Sequence, residues 1–203
     1  MTADDDNDFP ALVREALAAA RDLRFPASRE EAGGQGPSCS LPDAGRILAM
    51  LAAGCHDGRI GETGTGTGVG TAWMASAMPD SATLVTVEVD DARAQAAAKV
   101  FRGDSRVRVV HGDAQLVLAD HAPYDLLFVD GGWNEGDATI DLLRIGGRVV
   151  FDDVTPLAKL PVDSPWRTND PKRDFFFGNP RLVSVEVVLP DLANSLLVGT
   201  RTA

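Results

Sequence analysis

The residues best suited to chemistry in this chain are acidic, and each follows or interrupts an apolar run. Glu62 precedes Gly64, Gly66, Gly68 and Gly70, and Glu88 closes Leu84-Val85-Thr86-Val87. Asp113 follows His111-Gly112, Asp130 follows Leu126-Leu127-Phe128-Val129, and Asp152-Asp153 follow Val149-Val150-Phe151. Carboxylates in such places can accept hydroxyl hydrogens, neutralise a cation, ligate a hard metal ion or take a proton. Other chemistries are poorly supplied. No serine lies in a G-x-S-x-G elbow, and Cys39 and Cys55 show neither C-x-x-C spacing nor a disulfide framework. His56, His111 and His121 lack metal-ligand spacing. His56 suits a helix end, His111 a structural strand end and His121 a loop.

The glycine turn after Glu62 narrows the ligand. A phosphate-cradling P-loop needs Lys and then Ser or Thr after its last glycine, whereas Gly70 is followed by Thr71-Ala72. A dinucleotide turn needs G-x-G-x-x-G or G-x-G-x-x-A. Counting from Gly64 puts Val69 at the last position, and counting from Gly66 puts Thr71 there. The pattern that does fit, E-x-G-x-G-x-G at Glu62, Gly64, Gly66 and Gly68, resembles motif I of class I S-adenosylmethionine-dependent methyltransferases. That ligand carries an ammonium and a sulfonium, so a nearby carboxylate is favourable where it would repel a pyrophosphate.

The resemblance implies cofactor contacts at Glu62, Gly64, Thr65, Gly66 and Gly68. It places Glu88, with Val89 beside it, on the ribose hydroxyls, and gives the adenine amino group to Asp113 with the backbone of Ala114. Asp113 has a second reading as the cap of the helix that follows. The likeness extends to the catechol and caffeoyl-CoA O-methyltransferase-like family, whose upstream helix pattern is echoed in Ser40-Leu41-Pro42-Asp43-Ala44-Gly45-Arg46-Ile47-Leu48. That family carries metal-ligating acids after its fourth and fifth strands, here Asp130, Asp152 and Asp153, which implies Mg²⁺ or another divalent cation. Asp130 would also meet the cofactor, and Asp130 and Asp153 would be the catalytic pair facing a small-molecule hydroxyl. The family's lysine, three residues beyond the fourth-strand Asp, is Trp133 in this chain. Deprotonation would then fall to a metal or to a base such as Asp153, with Lys159 as a more remote substitute. Three rivals stand beside this reading: a metal-independent N- or O-methyltransferase, a non-catalytic S-adenosylmethionine-binding protein, and a dehydrogenase.

The elements that must position these groups alternate. Short apolar runs predict strands near 59–62, 83–88, 107–111, 125–129 and 147–151, with helical patterns at about 69–78, 91–101, 114–119 and 135–143. Continuous rather than alternating apolar runs are those of parallel strands covered on both faces. The expected fold is therefore α/β, a Rossmann-like doubly wound seven-stranded sheet that is mostly parallel. Runs at 182–189 and 195–200, joined by a turn around Pro190-Asp191, predict an antiparallel C-terminal strand pair. Helices are predicted at Pro10–Arg24 and Pro42–Ala53, separated by a Gly/Ser/Pro-rich loop or lid over 26–40. Five prolines between 153 and 180 exclude one continuous helix there. The mixed charged and aromatic segment Trp166–Phe177 would cap the acceptor or form a dimer contact, with the triple Phe packed inside. Residues 1–40 are read as an acidic, disordered start, a helix and a lid, and 41–203 as the methyltransferase domain.

A chain of 203 residues suits one α/β domain. Its 30 acidic residues against 19 basic ones leave a net charge of −11, which argues against a nucleic-acid partner. No stretch reaches the ~18 apolar residues that span a bilayer, and the start lacks the basic and apolar regions of a signal peptide. Two unpaired cysteines suit a reducing compartment, so a cytoplasmic protein acting on a small molecule, as a monomer or a homodimer, is expected.

Overall fold

The computed structural model describes residues 5–28, 30–33, 37–131, 136–190 and 194–203. The chain builds a seven-stranded sheet in the order β3-β2-β1-β4-β5-β7-β6. Its strands are β1 (Arg59–Thr63), β2 (Thr83–Glu88), β3 (Val107–His111), β4 (Tyr124–Val129), β5 (Leu143–Val154), β6 (Leu182–Val188) and β7 (Ser195–Arg201). The first five are parallel, and β7 enters antiparallel between β5 and β6. Strand order reverses between β1 and β4, which opens a crevice above their carboxyl ends. That is where every acidic residue singled out above must emerge.

Among the described residues, seven α-helices cover the sheet: α1 (Ala11–Leu23), α2 (Pro42–Ala53), α3 (Val69–Ala77), α4 (Asp91–Val100), α5 (Ala114–Ala119), α6 (Gly136–Asp141) and α7 (Pro171–Gly178). In α1, Val13, Ala16, Leu17 and Ala20 recur every three or four residues and form its buried stripe. They join α2, α3 and Phe101 in one core cluster against the sheet. Val69 to Ala75 of α3 are all buried, so this helix needs apolar residues on every side. The opposite face is packed by Leu118 of α5, Ile140 of α6 and Phe176 of α7. Phe176 meets Phe151 edge-on, with ring centroids 5.0 Å apart. No helix among the described residues is long and apolar enough to cross a membrane.

The expected elements appear with four differences. β5 starts at Leu143 rather than 147, because Leu143 pairs with Tyr124 ahead of a register shift. Its exposed Arg144, Ile145 and Gly146 make no continuous apolar run, although backbone pairing requires none. Within 153–180 a full helix, α7, was hidden by prolines: Pro171 occupies its first turn, and Asp170 caps it by accepting from the Lys172 and Arg173 N–H groups. The triple Phe is not uniformly inside, since Phe176 is buried and Phe177 exposed. Asp5–Asp8 form a 3₁₀ turn instead of an irregular start. Asp191 of the expected β6–β7 turn lies outside the described residues.

Candidate cofactor and acceptor site

The reversal crevice holds a cavity of about 670 Å³. Its floor is the glycine turn, and its walls come from the ends of β2, β3, β4 and β5, from Phe25 and from Pro37 to Ser40. The turn is possible only with glycine. Gly64 has φ +76°, and a Cβ there would lie 1.7 Å from the Asp130 carbonyl oxygen. The Gly64 and Thr65 N–H groups donate to the Val87 carbonyl, and Asp130 N–H to Thr63 O. The turn is thereby locked to the strands on either side.

Glu62 is buried, and one carboxylate oxygen accepts from the Thr71 hydroxyl. Its other oxygen, Oε1, is buried with no hydrogen-bond partner among the described residues. A Cβ on Gly70 would meet that atom at 2.7 Å and the Ser40 hydroxyl at 3.0 Å, so the three groups crowd one spot. Burial pushes the Glu62 carboxyl up to about 7, with Glu88 adding to the rise. Ser40 also donates to Asp130 Oδ2 at 3.3 Å. Asp130 is pushed well above the carboxylate range, first by burial and then by Asp152, Asp153 and Glu62. An orphaned carboxyl oxygen on Glu62, with Asp130 raised partly by the same acid, is a place for a cation.

Farther along, Glu88 is buried and accepts from Gly66 N–H at 2.7 Å, Asp90 N–H at 2.9 Å and Arg93 Nη2 at 2.8 Å. Val89, Asp113 and Ala114 line the same cavity, and Val89 is exposed there. The Asp113 side chain accepts from Gln115 N–H at 2.8 Å, so it does cap α5 while facing the cavity. His111 bonds the Val89 carbonyl and stands by Asp91, a structural arrangement. The thiol of Cys39 lines the cavity but is pushed up to about 12 by burial.

At the acceptor end, β5 breaks register between Phe151 and Val154, and Asp153 adopts φ +59°. Asp153 and Asp130 both line the cavity. Asp152 is buried, and its Oδ1 takes hydrogen bonds from Asn194 Nδ2 at 2.6 Å and Asp153 N–H at 2.7 Å. Burial first, then Asp153, pushes Asp152 up to about 6. Among the described residues, no three His, Cys, Asp or Glu side chains gather as a group able to hold a metal ion. Asp152 and Asp153 raise the proton affinity of Asp130, and Asp153 raises that of Asp152. Trp133 lies outside the described residues. Lys159 sits in a short 3₁₀ turn after β5 and is not among the cavity residues.

Four contributors escaped sequence reasoning. Ser40 was visible only as part of a helix approach, and Asn194 stands 42 residues from the acid it holds. Arg93 carries a readable signal, a lone cation five residues past Glu88 in an acidic stretch. Phe25, whose ring lies 3.3 Å from a Cβ position on Gly66, belongs to a loop with no periodicity to read.

A family model described as a methyltransferase domain matches residues 62–154. A protein of Mycobacterium avium (strain 104), provisionally named an O-methyltransferase, is 34% identical over 152 residues, or 69% of this chain and 68% of its own length. A protein of the same provisional name from Mycobacterium ulcerans (strain Agy99) is 33% identical over 158 residues, 70% of each chain. Among solved structures, the O-methyltransferase TomG of Streptomyces achromogenes, involved in tomaymycin synthesis and in complex with SAM, has a TM-score of 0.72 at 25% identity, covering 97% of this chain and 92% of its own. An O-methyltransferase of Bacillus cereus in complex with SAH shares the fold, with a TM-score of 0.72 at 19% identity over 96% of this chain and 93% of its own.

Proposed function

Because this chain belongs to the class I S-adenosylmethionine-dependent O-methyltransferases, we propose that it methylates a hydroxyl group of a small molecule held between Asp130 and Asp153. The observation that carries the proposal is the single cavity wall shared by the glycine turn, Glu88, Asp113, Asp130 and Asp153. In this reading the methionine ammonium meets the vacant oxygen of Glu62, with Ser40 and Asp130 beside it. Glu88 takes the ribose, and Val89, Asp113 and Ala114 take the adenine. The sulfonium then faces the acceptor end.

Asp153 is assigned as the base. It is exposed within the cavity, and its left-handed backbone lifts it out of the β5 ladder. The acceptor hydroxyl gives its proton to Asp153, and the oxygen takes the methyl group as the carbon–sulfur bond breaks. The sulfonium becomes a neutral thioether, so no anion has to be stabilised on the leaving side. Holding oxygen, methyl carbon and sulfur in line supplies much of the rate. Among the described residues no three His, Cys, Asp or Glu side chains gather as a metal-holding group, so in this reading the proton goes to Asp153.

The test is transfer from methyl-labelled S-adenosylmethionine to a panel of phenols and hydroxamates, run with and without EDTA. Labelled ethers are expected, and Asp153→Asn should lower kcat by about 10²-fold or more with S-adenosylhomocysteine affinity unchanged. Label appearing only on an amine panel would replace oxygen by nitrogen as the acceptor. Turnover abolished by EDTA and restored by Mg²⁺ would return the metal to the mechanism.

A further inference from the structure

We propose that Arg93 is a second ribose-reading residue, anchoring Glu88 and offering a hydrogen-bond donor of its own to one ribose hydroxyl. The proposal rests on the cofactor reading above and starts from how fully Glu88 is occupied. A carboxylate has about four acceptor positions. Three are filled, by Gly66 N–H on Oε2 and by Asp90 N–H and Arg93 Nη2 on Oε1. Gripping both hydroxyls of a ribose through Glu88 alone would require one donor to leave. With all three in place, Glu88 can accept one hydroxyl.

Arg93 supplies what is missing. Its side chain lines the cavity, and its Nε–H is buried with no partner among the described residues. A buried donor left unsatisfied is costly, and guanidinium groups are rarely left so. A hydroxyl is donor and acceptor at once. It can give its hydrogen to Glu88 and accept from Arg93 Nε, satisfying both groups without breaking their ion pair. Among the described residues, Arg93 is the only cation lining the cavity, so no other side chain there offers a charged donor. It is also held from the far side. Arg93 N–H donates to the Asp90 cap at 2.9 Å, and its guanidinium carbon lies 5.5 Å from the Phe25 ring centroid, stacked over it. Since Phe25 also rests against Gly66, the loop after α1, the glycine turn and the ribose-binding acid share one contact point.

The test is calorimetric binding of S-adenosylhomocysteine and its 2′-deoxy and 3′-deoxy analogues to wild type, Arg93→Ala and Arg93→Lys. Thermal unfolding serves as the check that each variant folds. Arg93→Ala should weaken S-adenosylhomocysteine by about 10-fold or more. One deoxy analogue should lose more than the other in wild type, and that difference should vanish in Arg93→Ala. Lysine keeps the charge but has no Nε–H within a fork, so Arg93→Lys should also lose the difference. It carries the test if the alanine variant does not fold. The inference is overturned if both variants discriminate the analogues as wild type does, or if Arg93→Ala binds with unchanged affinity. Wild type that fails to bind S-adenosylhomocysteine at all would instead sink the cofactor reading, and this inference with it.

Discussion

At the scale of single residues, the site is defined by acids kept from ionising. Glu62 is the clearest, with a folded-state value of about 7 caused mainly by burial. A carboxyl whose value is raised on folding stabilises the protein while it is protonated, and that contribution is lost as pH rises from the ordinary value near 4.5 through about 7. Thermal unfolding of ligand-free protein should show this as a decline in stability across that window, to which Asp130 and Asp152 add, and Glu62→Gln should make it shallower. A slope unchanged in Glu62→Gln would show that Glu62 does not contribute to it. The same carboxyl must ionise to meet a cation, so binding should release protons near neutrality and tighten as pH rises from 6 to 8. Calorimetry in buffers of different ionisation enthalpy reads the proton count. A count of zero near pH 6.5 would contradict the placement of the ammonium beside Glu62.

At the scale of elements, the glycine turn and the β5 bulge place the chemistry, and they differ in legibility. The turn could be read because its requirement is written in residue types. Gly64→Ala would drive a methyl group into the Asp130 carbonyl, so it should abolish S-adenosylhomocysteine binding even where the variant still folds. Binding retained at wild-type strength would mean that the turn tolerates a shift the structure does not allow. The bulge could not be read, because Asp152-Asp153 in a register-broken segment look in sequence like any pair of acids ending a strand. What fixes the bulge arrives from Asn194, just before β7, and from α7 through Arg173, which bonds Asp170, Glu186 and the Thr155 carbonyl. Prolines in the sequence concealed α7 altogether. The three charged side chains are only 9%, 9% and 15% exposed, so Arg173→Met would strand two buried carboxylates. Unfolding titrations should show a loss of about 3–5 kcal/mol. A loss under 1 kcal/mol would reduce this cluster to a surface ion pair.

At the scale of the whole molecule, strand order makes the site: the reversal between β1 and β4 brings groups from residues 25 to 153 to one cavity. The alternation of apolar runs and helices made the sheet, and thus the placement of Glu62, Glu88, Asp113 and Asp130, readable from sequence. The contacts that finish the site, Ser40 to Asp130, Arg93 to Phe25 and Asn194 to Asp152, join distant segments and leave no periodic trace. A crystal structure with S-adenosylhomocysteine bound tests the central claim most directly. The account predicts adenosine along Glu88, Asp113 and Ala114, with the amino-acid end against Glu62, Ser40 and Asp130. Ligand lodged elsewhere, with the Glu62–Gly70 turn untouched, would contradict it.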